Sequence, residues 1–207
     1  MTQMALHRAT YRIGESELEY MVLNKEGIPA DFQGYQVVRE GILSNEEMAE
    51  HGFAGSTALR FREAGRITGY MREFGPTSDM SSADGFNFVG ATVTHLFEDP
   101  DSVSRWMTDI FVKDFEEHVG ESVGEDQQVI SVQRLEPTGL FDEAVALKVL
   151  QGGPVGLISS TVIDFRVGRI LGVAFVGTVG DHERIDLATQ LAGTLEKNIV
   201  RVVLGGM

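Results

Sequence analysis

The pentapeptide Gly120-Glu-Ser-Val-Gly124 has the G-x-S-x-G spacing that presents a nucleophilic serine on a sharp turn in serine hydrolases. That turn needs a buried strand before it and a helix after it, so that the hydroxyl projects at the sheet edge. Here a helical pattern precedes and a strand pattern follows, and His182 is the one histidine downstream. Ser122 therefore reads as part of a helix-ending loop. Gly152-Gly-Pro-Val-Gly156 lacks the Lys-Ser/Thr of a phosphate loop, and Pro154 removes a backbone donor, so a hairpin turn is expected there. The histidines His7, His51, His95, His118 and His182 show no paired ligand spacing. His95 alone falls on an apolar strand face, where it serves either as a satisfied core residue or as a ligand or base. Acidic clusters at Glu98–Asp101, Asp114–Glu117 and Glu121–Asp126 lack the oxygen-ligand spacing of a calcium loop. Helix capping and a solvated helix face explain the first two. Trp106, Met107, Phe111 and Phe115 recur at helical spacing, and they either pack as core or line an apolar pocket. No catalytic set, cofactor site or metal site emerges, and His95, Trp106, Met107 and Phe111 stand as the candidate binding residues.

The elements that must position these residues follow from periodicity and punctuation. Residues 1–56 read as a lead-in with short strands at Tyr11–Ile13, Leu18–Leu23 and Gly34–Val38, and a capping box at Ser44-Asn-Glu-Glu47 starting a brief helix. A main domain over 57–207 begins with a helix from Thr57 to Ala64, a strand from Arg66 to Phe74 and a polar, mobile loop from Gly75 to Gly85. The strand Phe86–Phe97 places Val89, Ala91, Val93, His95 and Phe97 on one face by its period of two. Asp99 caps the next helix, Pro100 suits its first position, and Val103, Trp106, Met107, Ile110, Phe111 and Phe115 form its apolar stripe. Strands over Gln128–Leu135, Glu143–Leu150, Leu157–Arg166 and Arg169–Thr178 are joined by turns short enough for antiparallel pairing. Ile170–Val176 is apolar on both faces, as a central covered strand requires. Asp181 is expected to cap a last helix with Ile185, Ala188, Ala192, Leu195, Ile199, Val202 and Val203 inward. This order predicts an α+β fold with a single antiparallel β-sheet and helices packed against it. Phe61–Gly69 echoes Phe165–Gly172 and suggests similar hairpin units in that sheet.

Seventeen basic against 31 acidic side chains give a net charge of −14, which repels phosphate backbones and anionic lipid, so no nucleic acid partner is expected. With 0 cysteines there is no disulfide and no thiolate chemistry. The first residues lack the apolar core of a signal peptide, and no window is long enough for a transmembrane segment.

Two stretches carry a resemblance. One is Gly65–Phe74 with the following strand and Leu96-Phe-Glu-Asp99. The other is Phe141-Asp-Glu-Ala144, Phe165–Arg169 and a last helix with Asp186-Leu-Ala. Over residues 57–203 they resemble uncharacterised extracytoplasmic and lipoprotein-type bacterial domains of PsbP/Mog1-like layout. The resemblance implies an α/β sandwich, an extracytoplasmic setting, and a binding or assembly role without catalytic residues. The function expected is a non-enzymatic binding or interaction module for a small apolar ligand or a protein partner, the ligand form requiring a cavity beside Trp106. The alternatives are a hydrolase-like enzyme with dispersed residues and a structural subunit that selects a basic partner.

Overall fold

The computed structural model describes residues 3–76, 88–123, 127–154 and 156–205. Most of the predicted loop Gly75–Gly85 lies outside them. Eight antiparallel strands form one curled sheet in the order β1-β2-β3-β8-β7-β6-β5-β4. They are β1 (Gln36–Leu43), β2 (Arg66–Gly75), β3 (Phe88–Phe97), β4 (Ser122–Val123), β5 (Gln127–Leu135), β6 (Ala144–Gly153), β7 (Gly156–Val167) and β8 (Ile170–Val179). Central β8 is covered on both faces, as its unbroken apolar run requires. Gly168, with a φ of 60°, turns β7 into β8, a backbone state that a side chain disfavours. The class is thus α+β with a single antiparallel sheet; the finer PsbP/Mog1-like sandwich does not follow from this topology alone.

The long helix α7 (Ile185–Val203) lies across the outer face. Its buried Ala188, Leu191, Ala192, Leu195 and Ile199 join Ile163, Phe165, Ala174 and Val176 of the sheet in one apolar cluster. Asp181 does not cap this helix: Arg184 occupies the cap without a side-chain bond, and Asp181 instead pairs with Lys148 at 2.5 Å. The lead-in also differs from expectation. Helix α1 (Gln3–Ala9), a 3-10 turn over Thr10–Arg12 and helix α2 (Leu18–Met21) replace the first two predicted strands. Leu6, Ile13, Leu18 and Met21 join the apolar cluster under α7, and burying them there outweighs the strand propensity of the short Tyr-Arg-Ile and Met-Val-Leu runs. Only the third predicted strand forms, as β1.

The inner face is covered by short helices. In α3 (Asn45–Glu50) the capping box forms, Ser44 accepting from Glu47 N at 3.1 Å while Glu47 accepts from Ser44 N at 2.8 Å. Thr57 caps α4 (Ala58–Glu63). Asp99 caps α5 (Pro100–Arg105) at 2.7 Å. The predicted continuous helix then changes pitch: Trp106–Val112 is π-helical before α6 (Lys113–Glu117) resumes. The echoing segments adopt different structures, since Phe61–Gly69 runs from α4 into β2 whereas Phe165–Gly172 spans the β7–β8 hairpin. A bridge between Phe53, just after α3, and Val123 of β4 ties the β1 side of the curled sheet to its opposite edge.

Candidate functional site

Inside the curl, between sheet and short helices, lies a cavity of about 410 Å³. Its size falls in the range of ligand sites. Across the floor Met71, Val93, Val173 and Asp164 form one lateral row over β2, β3, β8 and β7. Phe53, Phe61, Trp106, Phe111 and Phe115 supply aromatic walls from the helical layer. Trp106 packs against Phe61 with ring centroids 5.3 Å apart and against His95 at 6.3 Å.

The π-helical stretch decides which side chains reach this space. An α-helix would advance the stripe by 100° per residue throughout, whereas the wider π turn rotates the later residues back. Trp106, Ile110 and Phe111 consequently border the cavity, while Met107, buried to 1% exposure, packs into the core beside Phe97 and Leu171. Of the four residues singled out in the sequence, the fold thus brings His95, Trp106 and Phe111 together around one space and places Met107 behind it.

His95 is held by an arginine. Its Nδ1 accepts from Arg66 Nε at 3.1 Å and Nη2 at 2.9 Å. Arg66 also donates to Asn45 Oδ1 at 2.6 Å and to the Leu43 carbonyl at 2.7 Å. Every one of these partners is neutral, so burial pulls the Arg66 guanidinium down to about 9. Burial and the adjacent Arg66 charge push the His95 pKa well below its usual value. The ring is therefore neutral with its proton on Nε2, a donor that has no protein partner among the described residues. Gly69 permits this stack: a Cβ there would lie 2.6 Å from His95 Nδ1 and 2.8 Å from Arg66 Nη2. A triad base needs an acid that raises its basicity; Arg66 does the reverse.

Asp164 is the residue that sequence reading passed over. It is 2% exposed on β7, lines the cavity, and has no hydrogen-bond or ion-pair partner among the described residues. Desolvation alone raises its pKa to about 8. In the text Leu157–Val167 it is one acidic residue in a mostly apolar strand, and the only available signal was that a charged residue interrupts a run buried on both faces. Ser122 lies on the short edge strand β4, exposed, with no histidine bonded to it among the described residues. Nor do three or more His, Cys, Asp or Glu side chains gather as metal ligands among those residues. At the rim Asp114 is engaged by Arg60 through two bonds of 2.7 Å, and Arg39 and His51 also border the opening.

No protein-family model matches the chain, and no curated protein is similar to it in sequence. Among solved structures, the chain is similar to the extracellular domain of PknH from Mycobacterium tuberculosis, with a TM-score of 0.59 and 10% identity over 90% of this chain and 96% of that one. An uncharacterized protein from Mycobacterium smegmatis aligns over 96% of this chain and 97% of its own at 9% identity, with a TM-score of 0.44. The first likeness is one of fold alone.

Proposed function

We propose that this chain is a ligand-binding module whose inner cavity takes one small, largely apolar molecule. The observation that carries the reading is an open-mouthed, aromatic-walled space lined by two hydrogen-bonding groups without protein partners among the described residues, the Asp164 carboxyl and His95 Nε2. Polar groups that line an apolar pocket without protein partners are the ones that fix the orientation of a bound molecule. His95, Trp106 and Phe111 are contact residues in this reading and Met107 supports them from behind. The resemblance to extracytoplasmic domains of PsbP/Mog1-like layout supports a binding role, and the fold shared with an extracellular domain fits a location outside the cytoplasm. No described helix is long and apolar enough to cross a membrane. The binding unit extends beyond residues 57–207, because Arg39, Leu43, Met48 and Phe53 of the lead-in close the cavity.

A thermal-shift screen of small apolar molecules tests this, read together with emission from Trp106, the 1 tryptophan of the chain. A ligand at about 100 times its Kd stabilises the fold by about 2.7 kcal/mol. The expected hit both raises the melting temperature and changes Trp106 emission, and Val173→Phe, which fills the floor, abolishes both effects. A hit unaffected by Val173→Phe refutes the cavity as the site.

A further inference from the structure

Resting on the cavity reading, we propose that the ligand is an organic amine: a protonated nitrogen on an apolar, ring-bearing body, with Asp164 as its anchor. The anchor is a carboxyl that the protein itself leaves without a counter-charge. Arg66, the nearest buried cation of the inner face, sits on β2, with β3 and β8 between it and β7. Three strand spacings separate the two groups laterally by about 14 Å, and the His95 ring takes up two of the Arg66 donors. Arg166, next on the same face of β7, is engaged by Asp142 at 3.1 Å and Glu143 at 3.3 Å. The remaining charged or titratable groups around the space are Arg39 from β1, His51 after α3, and Asp114 of α6, already held by Arg60. None of these pairs with Asp164.

A neutral hydroxyl or amide can bond the carboxyl only as burial leaves it, protonated and neutral. An ammonium supplies donors and charge together, and buried charges are paired as a rule. The walls suit the same ligand. Phe53, Phe61, Trp106, Phe111 and Phe115 offer ring faces that attract a cation and pack against an apolar body. The net charge of −14 favours the approach of cations over anions. On the other side of the cavity His95 Nε2 donates to an acceptor on the ligand body, about two strand spacings or 10 Å from the anchor. The ligand class is thus an amine with an aromatic or aliphatic core and an oxygen or ring nitrogen at its far end.

The test uses three probes with one body and three heads: 4-phenylbutylamine, 4-phenylbutanol and 4-phenylbutanoic acid. Calorimetric titration gives Kd for the full chain and for Asp164→Asn. The amine is expected to bind wild type more tightly than the alcohol and the acid. Asp164→Asn should weaken the amine by about 30-fold, the loss typical of removing one partner of a buried charge pair, and leave the alcohol within about threefold. Wild type alone supplies an independent readout. Because Asp164 holds its proton to about 8 in the empty cavity, amine binding near neutral pH should release about one proton, seen as a heat that depends on buffer ionisation. Binding of the alcohol should release none. Tightest binding by the acid, an amine affinity insensitive to Asp164→Asn, or no proton release would overturn the amine assignment while leaving a binding cavity in place. If no probe binds wild type and Val173→Phe behaves identically, both the assignment and the cavity reading fall.

Discussion

On the outer face of the sheet, Thr92 and Thr94 are as deeply buried as any apolar neighbour, yet each is paired: Thr92 accepts from Leu23 N at 3.2 Å and Thr94 donates to the Leu18 carbonyl at 3.2 Å. On the inner face, Asp164 and His95 are buried residues too, but the Asp164 carboxyl and His95 Nε2 line the cavity and meet no protein group among the described residues. The outer face is closed by one long helix and the lead-in, with a continuous apolar cluster between them. The inner face is closed by short helices around two smaller clusters with a space between. A polar group satisfied in the core contributes to stability, whereas one left open costs its full desolvation. The outer face has an unpartnered buried hydroxyl of its own, Thr178 Oγ1, so the two faces differ chiefly in filling: one continuous cluster closes the outer face, and the inner face keeps a space.

The largest effect expected from this contrast is at Asp164. Burial raises its folded pKa above its unfolded value of 3.8, so the penalty is absent below that value and grows as pH rises to about 8. Asp164→Asn should therefore stabilise the protein increasingly across that window, by an amount on the order of 5 kcal/mol at most. Water admitted to the cavity lowers the figure. Urea unfolding of both proteins at several pH values reads the gap directly, and a gap that does not widen with pH would mean that the carboxyl is paired. His95 carries the opposite sign. Its folded pKa is lowered below 6.5, so the stability it contributes is present above that value and is lost as the solution becomes more acidic. His95→Gln should flatten the acid limb of the stability profile.

Packing comes next. Leu195→Ala on the outer face should destabilise by about 3 kcal/mol, because its site is fully enclosed. Phe111→Ala should cost about 1 kcal/mol, since its ring already borders empty space and its removal enlarges a void more than it creates one. Equal losses at the two positions, measured by the same unfolding curves, would indicate a solid inner core. The smallest effect is at the helix that carries the aromatic wall. Asp99→Ala removes its cap and should cost about 1 kcal/mol. Hydrogen exchange should accelerate over Pro100–Glu117 and stay unchanged in α7, a pattern that tests whether the inner layer opens independently of the outer one.

The sequence by itself determined what depends on a few adjacent residues: the caps at Ser44 and Asp99, the β7–β8 hairpin, and the alternation that puts His95 on the inner face of β3. These features are local because a hydroxyl three residues from an amide, or a glycine in a left-handed turn, acts within a few ångströms of chain. Tertiary packing decided the rest. The lead-in became helical because α7 offered an apolar surface for its hydrophobic residues, and Asp181 lost the helix cap to a salt bridge with Lys148 on another strand. The change of pitch at Trp106 moved Met107 behind the cavity and left Phe111 at its edge. The one signal at Asp164, a charge interrupting an apolar strand, could not show its role, because whether a buried carboxyl finds a donor depends on what the β2–β3 and helical layers place opposite it. Periodicity assigns a residue to a face; only the register between distant segments decides whether that face is filled, and a carboxyl left in the remaining space is visible only once the sheet has curled around it.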